Sequence, residues 1–311
     1  MNVTRPKNKR RTRRLIALAL ILAVIAPYLW WENTTLELTE LSFSSERLPA
    51  DFDGYRIVQV SDLHNCSFGK EQEKLLRLTK EADPDCIVIT GDLVENASTE
   101  NAMDYVRGAA KIAPVYYVPG NHEAKYLDAY RKLRNALSGA GVTLLENTQT
   151  LLRKGGSQIR LLGLLDPAFE TGGKLHGGVE QVSAALNRMT GSSVKPMGTG
   201  QSRDFTILLS HRPELMDLYE EQKIDLAFAG HTHGGLVRLP VIGAPYGLNQ
   251  GFFPQYTEGL CRKGNTAMVV SRGLGNNFIG WRINNRPELV AVELHHTLPA
   301  TVAPMIQGRQ S

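Results

Sequence analysis

Five apolar runs in this chain are each followed by side chains that can bind a metal ion, and this recurrence restricts the fold more than any other feature. The runs, with the polar residues that follow them, are residues 55–60 before Asp62 and His64, 86–89 before Asp92, 115–118 before Asn121 and His122, 205–209 before His211, and 226–229 before His231 and His233. Short apolar runs are typical of buried strands, and in open α/β sheets binding sites form beyond the carboxyl ends of the strands. A turn or a helix cap would explain one such residue, but five in succession predict a single site at one edge.

The last run leads into Gly230-His231-Thr232-His233-Gly234-Gly235. Residues two apart in a strand point to the same side, and the glycines let the backbone bend so that both rings enter one cleft. Two neutral imidazoles side by side suit a divalent transition metal. Taken alone, the pair also fits solvated or core histidines, so its interpretation depends on the other four runs.

The segments between the runs predict the architecture. Residues 70–82, 100–112 and 126–137 have the spacing of helices that cover a sheet, and they alternate with strands as in an α/β fold. Further strands are expected at 36–43, 142–145, 150–153, 159–165, 236–239, 266–271 and 289–294, with a helix at 179–189 and a Gly/Ser-rich loop at 190–203. The pattern changes at residue 142, and the strands from there on imply a second sheet. We therefore expect an α/β fold, a four-layer αββα sandwich of two mixed sheets packed face to face.

The start of the chain predicts a membrane anchor. Residues 1–14 contain seven basic residues and no acid, and residues 15–31 carry no charge. A helix of that length spans ~26 Å, against ~30 Å for the hydrocarbon core of a bilayer, and the aromatic residues Tyr28, Trp30 and Trp31 suit the interface at its outer end. The preceding positive charges predict a single-pass protein of the cell membrane whose N-terminus is cytoplasmic and whose domain, residues 32–296, is extracytoplasmic. Residues 297–311 form a C-terminal tail without a signal.

Two other export signals compete with the anchor. A cleaved signal peptide would need a small-residue cleavage site, but Val24-Ile25-Ala26 fits poorly and Pro27 follows it directly. Arg13-Arg14 also allows twin-arginine export, although an Arg pair inside a basic tail is weak support. We therefore favour an uncleaved anchor.

Charge and cysteine content exclude several classes of protein. The net charge of +4 comes from the N-terminal tail, because the rest of the chain has 28 basic against 31 acidic residues. Without a basic excess, no nucleic-acid partner is expected. The three cysteines, Cys66, Cys86 and Cys261, form neither a metal pattern nor a disulfide framework.

The ordered motifs resemble those of the calcineurin-like metallophosphoesterases. They are Asp62-x-His64, Gly91-Asp92, Gly120-Asn121-His122-Glu123, His211 and Gly230-His231-x-His233, which together span residues 61–235. Gly234-Gly235, Ser271-Arg272-Gly273-Leu274-Gly275 and the N-terminal apolar segment look like the membrane-anchored bacterial branch. Some members of that branch resemble UDP-2,3-diacylglucosamine hydrolases of lipid A synthesis.

The resemblance implies a two-metal hydrolase. By the family pattern, Asp62, His64, Asp92 and His233 would hold one ion, and Asp92, Asn121, His211 and His231 the other. Asp92 is the natural bridge because its strand lies centrally in the order, and the mixed nitrogen and oxygen set suits Mn, Fe or Zn. A metal-bridging hydroxide would attack phosphorus. By the same pattern, His122 would stabilise the phosphoryl charge or protonate the leaving oxygen. A structural hydrogen bond is its alternative role.

Two neighbouring acids have simpler interpretations. Glu123 is expected to be a helix-start acid rather than a catalyst. Asp166, which precedes Pro167 at the end of a strand, is expected to form a turn, although it could also face the cleft.

The substrate class is open at this stage. A hydrolase acting on a small-molecule or lipid-linked phosphoester or pyrophosphate competes with a non-catalytic, metal-stabilised binding domain at the membrane; His122 favours the hydrolase. Phe252 and Phe253 lie on the Gly- and Pro-containing loop 247–254. They either fold back into the core, the commoner outcome, or form an apolar rim for an acyl chain or the bilayer surface. The short connection after Trp31 holds the domain near the membrane, which favours a rim and a lipid-linked substrate.

Overall fold

A computed structural model describes residues 7–95, 98–174, 177–191, 203–276 and 280–298, and the side chains from residue 11 onwards. The first six residues of the basic tail, most of the predicted loop at 190–203 and the C-terminal tail from residue 299 lie outside the described residues.

Fourteen strands are found in the described part of the chain. They are β1 (Glu37–Ser45), β2 (Tyr55–Val60), β3 (Cys86–Thr90), β4 (Val115–Val118), β5 (Thr143–Leu144), β6 (Thr148–Lys154), β7 (Ser157–Gly163), β8 (Thr206–Leu209), β9 (Leu226–Ala229), β10 (Tyr246–Gly247), β11 (Gly251–Phe252), β12 (Gly259–Lys263), β13 (Thr266–Val270) and β14 (Glu288–His296). Seven α-helices accompany them within the same residues: α1 (Lys7–Thr34), α2 (Glu73–Glu81), α3 (Glu100–Ala109), α4 (Asn121–Lys125), α5 (Leu127–Gly139), α6 (Val179–Gly191) and α7 (Met216–Glu221).

Twelve of the strands form two six-stranded sheets. The order in the first is β1-β14-β2-β3-β4-β5, and in the second β12-β13-β9-β8-β7-β6. Each sheet is mixed: β14 runs antiparallel to β2 in the first, β12 and β6 run antiparallel to their neighbours in the second, and the remaining pairs are parallel. The prediction of two mixed sheets is confirmed.

Three apolar clusters separate four layers. The first lies between the first sheet and α2, α3 and α5, the second lies between the two sheets, and the third lies between the second sheet and α6 and α7. Along β3, Ile87 and Ile89 face the helices while Cys86 and Val88 face the second sheet. A strand buried on both faces is apolar at every position, which explains the continuous runs in the sequence and confirms the αββα sandwich.

Two segments differ from the sequence prediction. The strand expected at 142–145 is the two-residue β5, and it pairs with β4 at the edge of the first sheet rather than in the second. The strand expected at 236–239 is replaced by isolated bridges, of which one joins Val237 to Ile283. Both segments are short, so the contacts that fix them come from distant parts of the chain.

Helix α1 is the described helix that is long and apolar enough to cross a membrane, over Arg11–Thr34. Its apolar side chains are exposed between Leu15 and Trp31. Its last two turns are bonded to residues 282–285: the Tyr28 hydroxyl donates to Asn284 Oδ1 at 2.6 Å, and the Asn285 backbone N–H donates to Glu32 Oε1 at 2.5 Å. The helix is therefore attached to the domain by side-chain hydrogen bonds as well as by the chain.

Candidate active site

The carboxyl ends of five strands meet where the two sheets open toward each other. β2, β3 and β4 of the first sheet and β8 and β9 of the second each end two to four residues before a predicted ligand. The seven predicted ligands are all buried: Asp62, His64, Asp92, Asn121, His211, His231 and His233. The side chain of His122 is 21% exposed at the same place.

The backbone leaves these strands in an unusual conformation. Five of the predicted ligands have positive φ angles, between 48° and 68°: Asp62, His64, Asp92, His231 and His233. A left-handed non-glycine residue costs on the order of 1–3 kcal/mol, and such residues cluster at functional sites. Neighbouring glycines leave room for the sharp turns, since a Cβ on Gly120 would lie 2.2 Å from Asp92 Oδ1 and one on Gly230 would lie 2.3 Å from Asp62 Oδ2. The carboxylates of Asp92 and Asp62 thus pack directly against the backbone of Gly120 and Gly230.

Asp62, His64 and His233 form one group of facing donor atoms, all within 4.8 Å of one another. The two Nε2 atoms of His64 and His233 are 3.1 Å apart, and Asp62 Oδ1 is 3.4 Å from His233 Nε2. The backbone N–H of His231 donates to the Asp62 carboxylate, which fixes its orientation.

Asp92, His211 and His231 form a second group of the same kind. His211 Nδ1 lies 2.7 Å from the Thr90 carbonyl oxygen, so a proton donated there leaves Nε2 facing Asp92 Oδ2 at 3.3 Å and Asn121 Oδ1 at 3.1 Å. Asp92 Oδ2 is also 3.8 Å from His64 Nε2 in the first group. Asp92 therefore lies between the two groups.

Glu95 joins His64 and His122, and the sequence analysis missed it. Its Oε2 lies 2.6 Å from His64 Nδ1 and 3.1 Å from His122 Nδ1. On the other side of the ring, His122 Nε2 is 3.9 Å from Asp92 Oδ2. The available signal was a carboxylate three residues after Asp92 in Gly91-Asp92-Leu93-Val94-Glu95.

Glu123 holds the two ligand loops of the first sheet together. It is fully buried, and its carboxylate accepts hydrogen bonds from the backbone N–H groups of Gly120, Asp92 and Leu93 at 2.7–2.9 Å. The bond to Gly120 is that of an acid in the first turn of α4, as predicted; the other two tie the Asp92 loop to the Asn121 loop.

Arg212 is a second residue that the sequence analysis missed. It is buried and makes a two-point ion pair with Asp166, at 2.6 and 3.0 Å, while its Nη1 lies 3.1 Å from His231 Nε2. Asp166 also accepts the Ala168 N–H, so it forms the predicted turn and faces the site as well. Removing one partner of a buried ion pair costs ~3–5 kcal/mol, so this pair fixes the wall beside His231.

The pKa values describe the charge of the metal-free site. Burial opposes ionisation of Asp92, but the positive charge of His211 holds the pKa of Asp92 well below its usual value. Burial likewise opposes protonation of the two rings nearest to it, yet the Asp92 charge raises the pKa of His211 to about 10 and, with Glu95, that of His122 to about 9. Burial, with nearby positive charge, lowers the pKa values of His231 and His233 well below normal. Protons on His211 and His122 thus balance the buried carboxylates, while two imidazoles stay neutral.

The donor set fits divalent transition metals. Two clusters of buried imidazole nitrogens and carboxylate oxygens face inward, with one carboxylate between them, and neutral imidazole is a ligand form. The facing Nε2 atoms of His64 and His233 have a cation as their natural common partner. The nitrogen content favours Mn, Fe or Zn over Mg or Ca.

The loop that contains β10 and β11 borders the second group. Asn249 Nδ2 lies 3.1 Å from His231 Nε2, and three residues further on Phe252 and Phe253 are 79% and 74% exposed. The interpretation of these rings as core residues is therefore wrong.

The junction with α1 reaches the first group through two side chains. Asn285 Nδ2 donates to the His233 carbonyl oxygen at 2.7 Å, and Arg282 Nη2 lies 3.3 Å from His233 Nδ1. The Arg282 backbone N–H in turn donates to Asn33 Oδ1 in the last turn of α1, at 2.7 Å. His233 is thus two hydrogen bonds away from the N-terminal helix.

Comparison with known proteins places the chain among phosphoesterases. Residues 55–235 match the sequence profile of the family described as calcineurin-like phosphoesterase. The chain is 32% identical over 278 residues to the metallophosphoesterase YkuE of Bacillus subtilis, covering 86% of this chain and 88% of YkuE. It is 27% identical to the phosphodiesterase YaeI of Escherichia coli (77% and 82% covered), and 25% identical to the UDP-2,3-diacylglucosamine pyrophosphatase LpxG of Chlamydia muridarum (85% and 92% covered).

Proposed function

The chain belongs to the calcineurin-like phosphoesterases, and from that premise we propose that its seven buried ligand residues hold two divalent ions for the hydrolysis of a lipid-linked phosphoester or pyrophosphate. Membership of the family makes the protein a hydrolase and not a binding domain without catalysis. The observation that carries the two-ion assignment is the position of Asp92 Oδ2, 3.3 Å from His211 in one group and 3.8 Å from His64 in the other.

The proposed ligand sets follow the two groups. One ion would be held by Asp62, His64 and His233, and the other by Asn121, His211 and His231. Asp92 would be a ligand of both. Bound there, two ions would supply an activated water and offset the charge of the phosphoryl oxygens. The protein's own part is to hold the ligands: Thr90 and Glu95 orient the rings of His211 and His64 through their Nδ1 atoms, and such outer partners fix ligand geometry.

His122 is proposed as the proton donor to the leaving oxygen. It is partly exposed beside Asp92, and Glu95 holds its Nδ1 so that Nε2 points toward the groups. The raised pKa keeps the ring protonated at neutral pH in the metal-free protein. A protonated imidazole can donate its proton, or stabilise negative charge on the phosphoryl group.

Metal analysis of the full chain in detergent tests the site. We expect close to two transition ions per chain, and loss of most of both, together with phosphoester hydrolysis, in Asp92→Ala. Asp128→Ala is the matched control, because this carboxylate is exposed on α5 and paired only with Arg131 in the described structure. Two ions retained in Asp92→Ala would contradict the shared ligand.

The lipid-linked substrate is supported by the exposed pair Phe252 and Phe253 on the loop that contacts His231 through Asn249. LpxG, a relative at 25% identity, is named for a diacylated sugar nucleotide. An apolar side chain next to a polar cleft suits a substrate with an acyl chain and a phosphate group.

Replacing both rings by Ser in the full chain tests this substrate class. Hydrolysis of a lipid-linked pyrophosphate in micelles should fall, while hydrolysis of a short water-soluble phosphoester should persist. Val179→Ser, at an exposed apolar residue of α6, is the control and should change neither activity. Equal loss on both substrates would assign the two rings to folding instead.

We also propose the membrane arrangement. Residues 15–31 of α1 would cross the cell membrane, residues 1–14 would lie in the cytoplasm, and residues 32–296 would form the catalytic domain outside it. The supporting observations are the exposed apolar surface of α1 and the basic residues that precede residue 15.

A further inference from the structure

Exposed apolar side chains are concentrated beside the site. Outside α1, eleven large apolar side chains are exposed among the described residues, and eight of them lie in residues 239–253 and 281–283. We call six of these the apolar collar: Val241, Ile242, Tyr246, Phe252, Phe253 and Trp281, which are 51–108% exposed. Soluble proteins rarely expose a contiguous apolar patch of this kind without a partner for it.

Hydrogen bonds hold the collar segments next to one another. Residues 239–243 form a tight hairpin, closed by two bonds between Leu239 and Gly243, with Val241 at its tip. This hairpin is bonded to the segment that follows Trp281, because the Arg238 N–H donates to the Ile283 carbonyl at 2.9 Å. On its other side, the Phe253 N–H donates to the Pro245 carbonyl at 3.0 Å. The rings of Tyr246 and Phe252 are in contact at 5.6 Å.

Residues next to the collar are bonded to α1 near its C-terminal end. Asn284 accepts a hydrogen bond from the Tyr28 hydroxyl and donates one to the Arg238 carbonyl. Tyr28 lies six residues before the end of the helix at Thr34, which is ~9 Å along the helix axis. The Arg286 guanidinium lies over the ring of Trp31 at 5.0 Å. Loop residues next to the collar therefore lie beside the aromatic end of the proposed span, where a bilayer interface begins.

We propose that the apolar collar inserts into the outer interface of the bilayer that α1 crosses, so that the domain is held on the membrane by a second, monotopic contact. The proposal goes beyond the proposed function and rests on the proposed span of α1. The occupant of the surface is the bilayer, because a spanning α1 brings lipid to the level of Tyr28 and Trp31, to which the neighbouring loop is bonded. With no basic excess in the domain, this contact is apolar and not electrostatic.

The collar loop is also in contact with the proposed metal site. Asn249, between Tyr246 and Phe252 in the chain, lies 3.1 Å from His231 Nε2. The same loop therefore contacts both the metal-ligand group and the proposed lipid surface, so an inserted collar would bring the site close to the headgroups.

Tryptophan fluorescence of the full chain tests the collar. The chain has three tryptophans, Trp30, Trp31 and Trp281, so W30F/W31F leaves Trp281 as the reporter. In phosphatidylcholine vesicles we expect lipids brominated near the headgroup end of the acyl chain to quench its fluorescence by half or more, and aqueous iodide to quench it little. W30F/W31F/W281F/V241W provides a second collar reporter, which should behave in the same way. W30F/W31F/W281F/V179W is the matched control, because Val179 is 49% exposed against 54% for Trp281, and it should be quenched by iodide alone.

Two results would overturn the collar. Quenching of both collar reporters by iodide and not by brominated lipid would place the surface in water. Protection from both quenchers would show that a second copy or another protein covers it. The span of α1 is tested separately, since extraction of the full chain by alkaline carbonate would contradict the span, while bromolipid quenching before extraction reports on the collar itself.

Discussion

His122 combines access to solvent with contact to two carboxylates. Its ring lies between Glu95 and Asp92, and its position after Asn121 brings its backbone N–H to Asp92 Oδ1 at 2.8 Å. The backbone bond fixes where the residue sits, and the contact between Glu95 and Nδ1 leaves Nε2 facing Asp92. A side chain held in this way can act on a substrate without binding a metal itself.

We predict that His122→Ala lowers hydrolysis by ~10²-fold or more, the usual scale for a general acid or a charge stabiliser. Metal content should be unchanged, because all seven proposed ligand side chains remain in place. Steady-state rates and metal analysis of the same preparation measure the two effects. His295→Ala, on β14 and away from the site, is the control; a fully active His122→Ala would make His122 a structural residue.

The residues that the sequence predicted are those that follow a strand end directly. All seven proposed ligands lie within four residues of a buried strand, so the strand pattern alone brings them together. Arg212 follows the proposed ligand His211 in sequence, but its inward direction is set by Asp166, 46 residues earlier. Glu95 reaches His64 and His122 because of the shape of the loop after Asp92, and the hydrogen bonds from that loop to Glu123 fix this shape. Long-range partners of this kind leave no local pattern in the sequence.

At the scale of secondary structure, the junction of α1 with residues 282–285 is the least expected feature. Glu32 is buried although it lies at the end of an otherwise exposed helix, because it accepts the Asn285 N–H. Asn285 is fully buried and passes the contact on to the His233 carbonyl. The helix end is thus part of the structure that positions a proposed ligand.

We predict that Asn285→Ala lowers the affinity for one of the two metal ions by ~10–100-fold, the usual effect of removing an outer partner of a ligand. The ion held by the His233 group should be the weaker one, while the other stays bound. Stepwise chelator titration of the purified full chain separates the two ions. Asn284→Ala is the matched control, since its side chain contacts Tyr28 and Arg238 but not His233; equal affinities in both variants would exclude the positioning role.

Helices with a charged face and fully buried apolar strands were predictable, whereas β5 and the segment after His233 were not. The helices α3, α5 and α6 begin within one residue of the predicted positions, because charged residues mark their exposed faces. β5 has two residues, and residues 236–243 are held by bridges to Ile283 and by their own tight turn. The exposure of Phe252 and Phe253 is set by that loop packing, which hydrophobicity alone does not reveal.

At the scale of the whole molecule, the basic residues that precede the proposed span predict which side of the membrane the domain occupies. We predict that a C-terminal alkaline phosphatase fusion, which is active only outside the cytoplasm, is active, and that a C-terminal fluorescent protein of the kind that folds only in the cytoplasm is dark. The physical reason is the retention of positive charge on the cytoplasmic side.

A bright cytoplasmic fusion would contradict this orientation. A shorter product in the soluble fraction would instead indicate a cleaved signal. Immunoblotting of membrane and soluble fractions distinguishes the two outcomes, and a variant with Lys and Arg of residues 5–14 changed to Gln should lose the orientation preference.

The hydrogen-bonded end of α1 has a consequence for how the protein meets its substrate. Two residues separate Thr34 from β1, and Tyr28, Glu32 and Asn33 are all bonded to residues 282–285. With α1 in a bilayer, these bonds would restrict rotation of the domain relative to the helix, so the cleft would keep a constant distance from the lipid. A lipid-linked substrate would then be found by lateral diffusion of both molecules in the plane of the membrane. The encounter becomes a two-dimensional search, in which surface density, rather than concentration in solution, sets the rate.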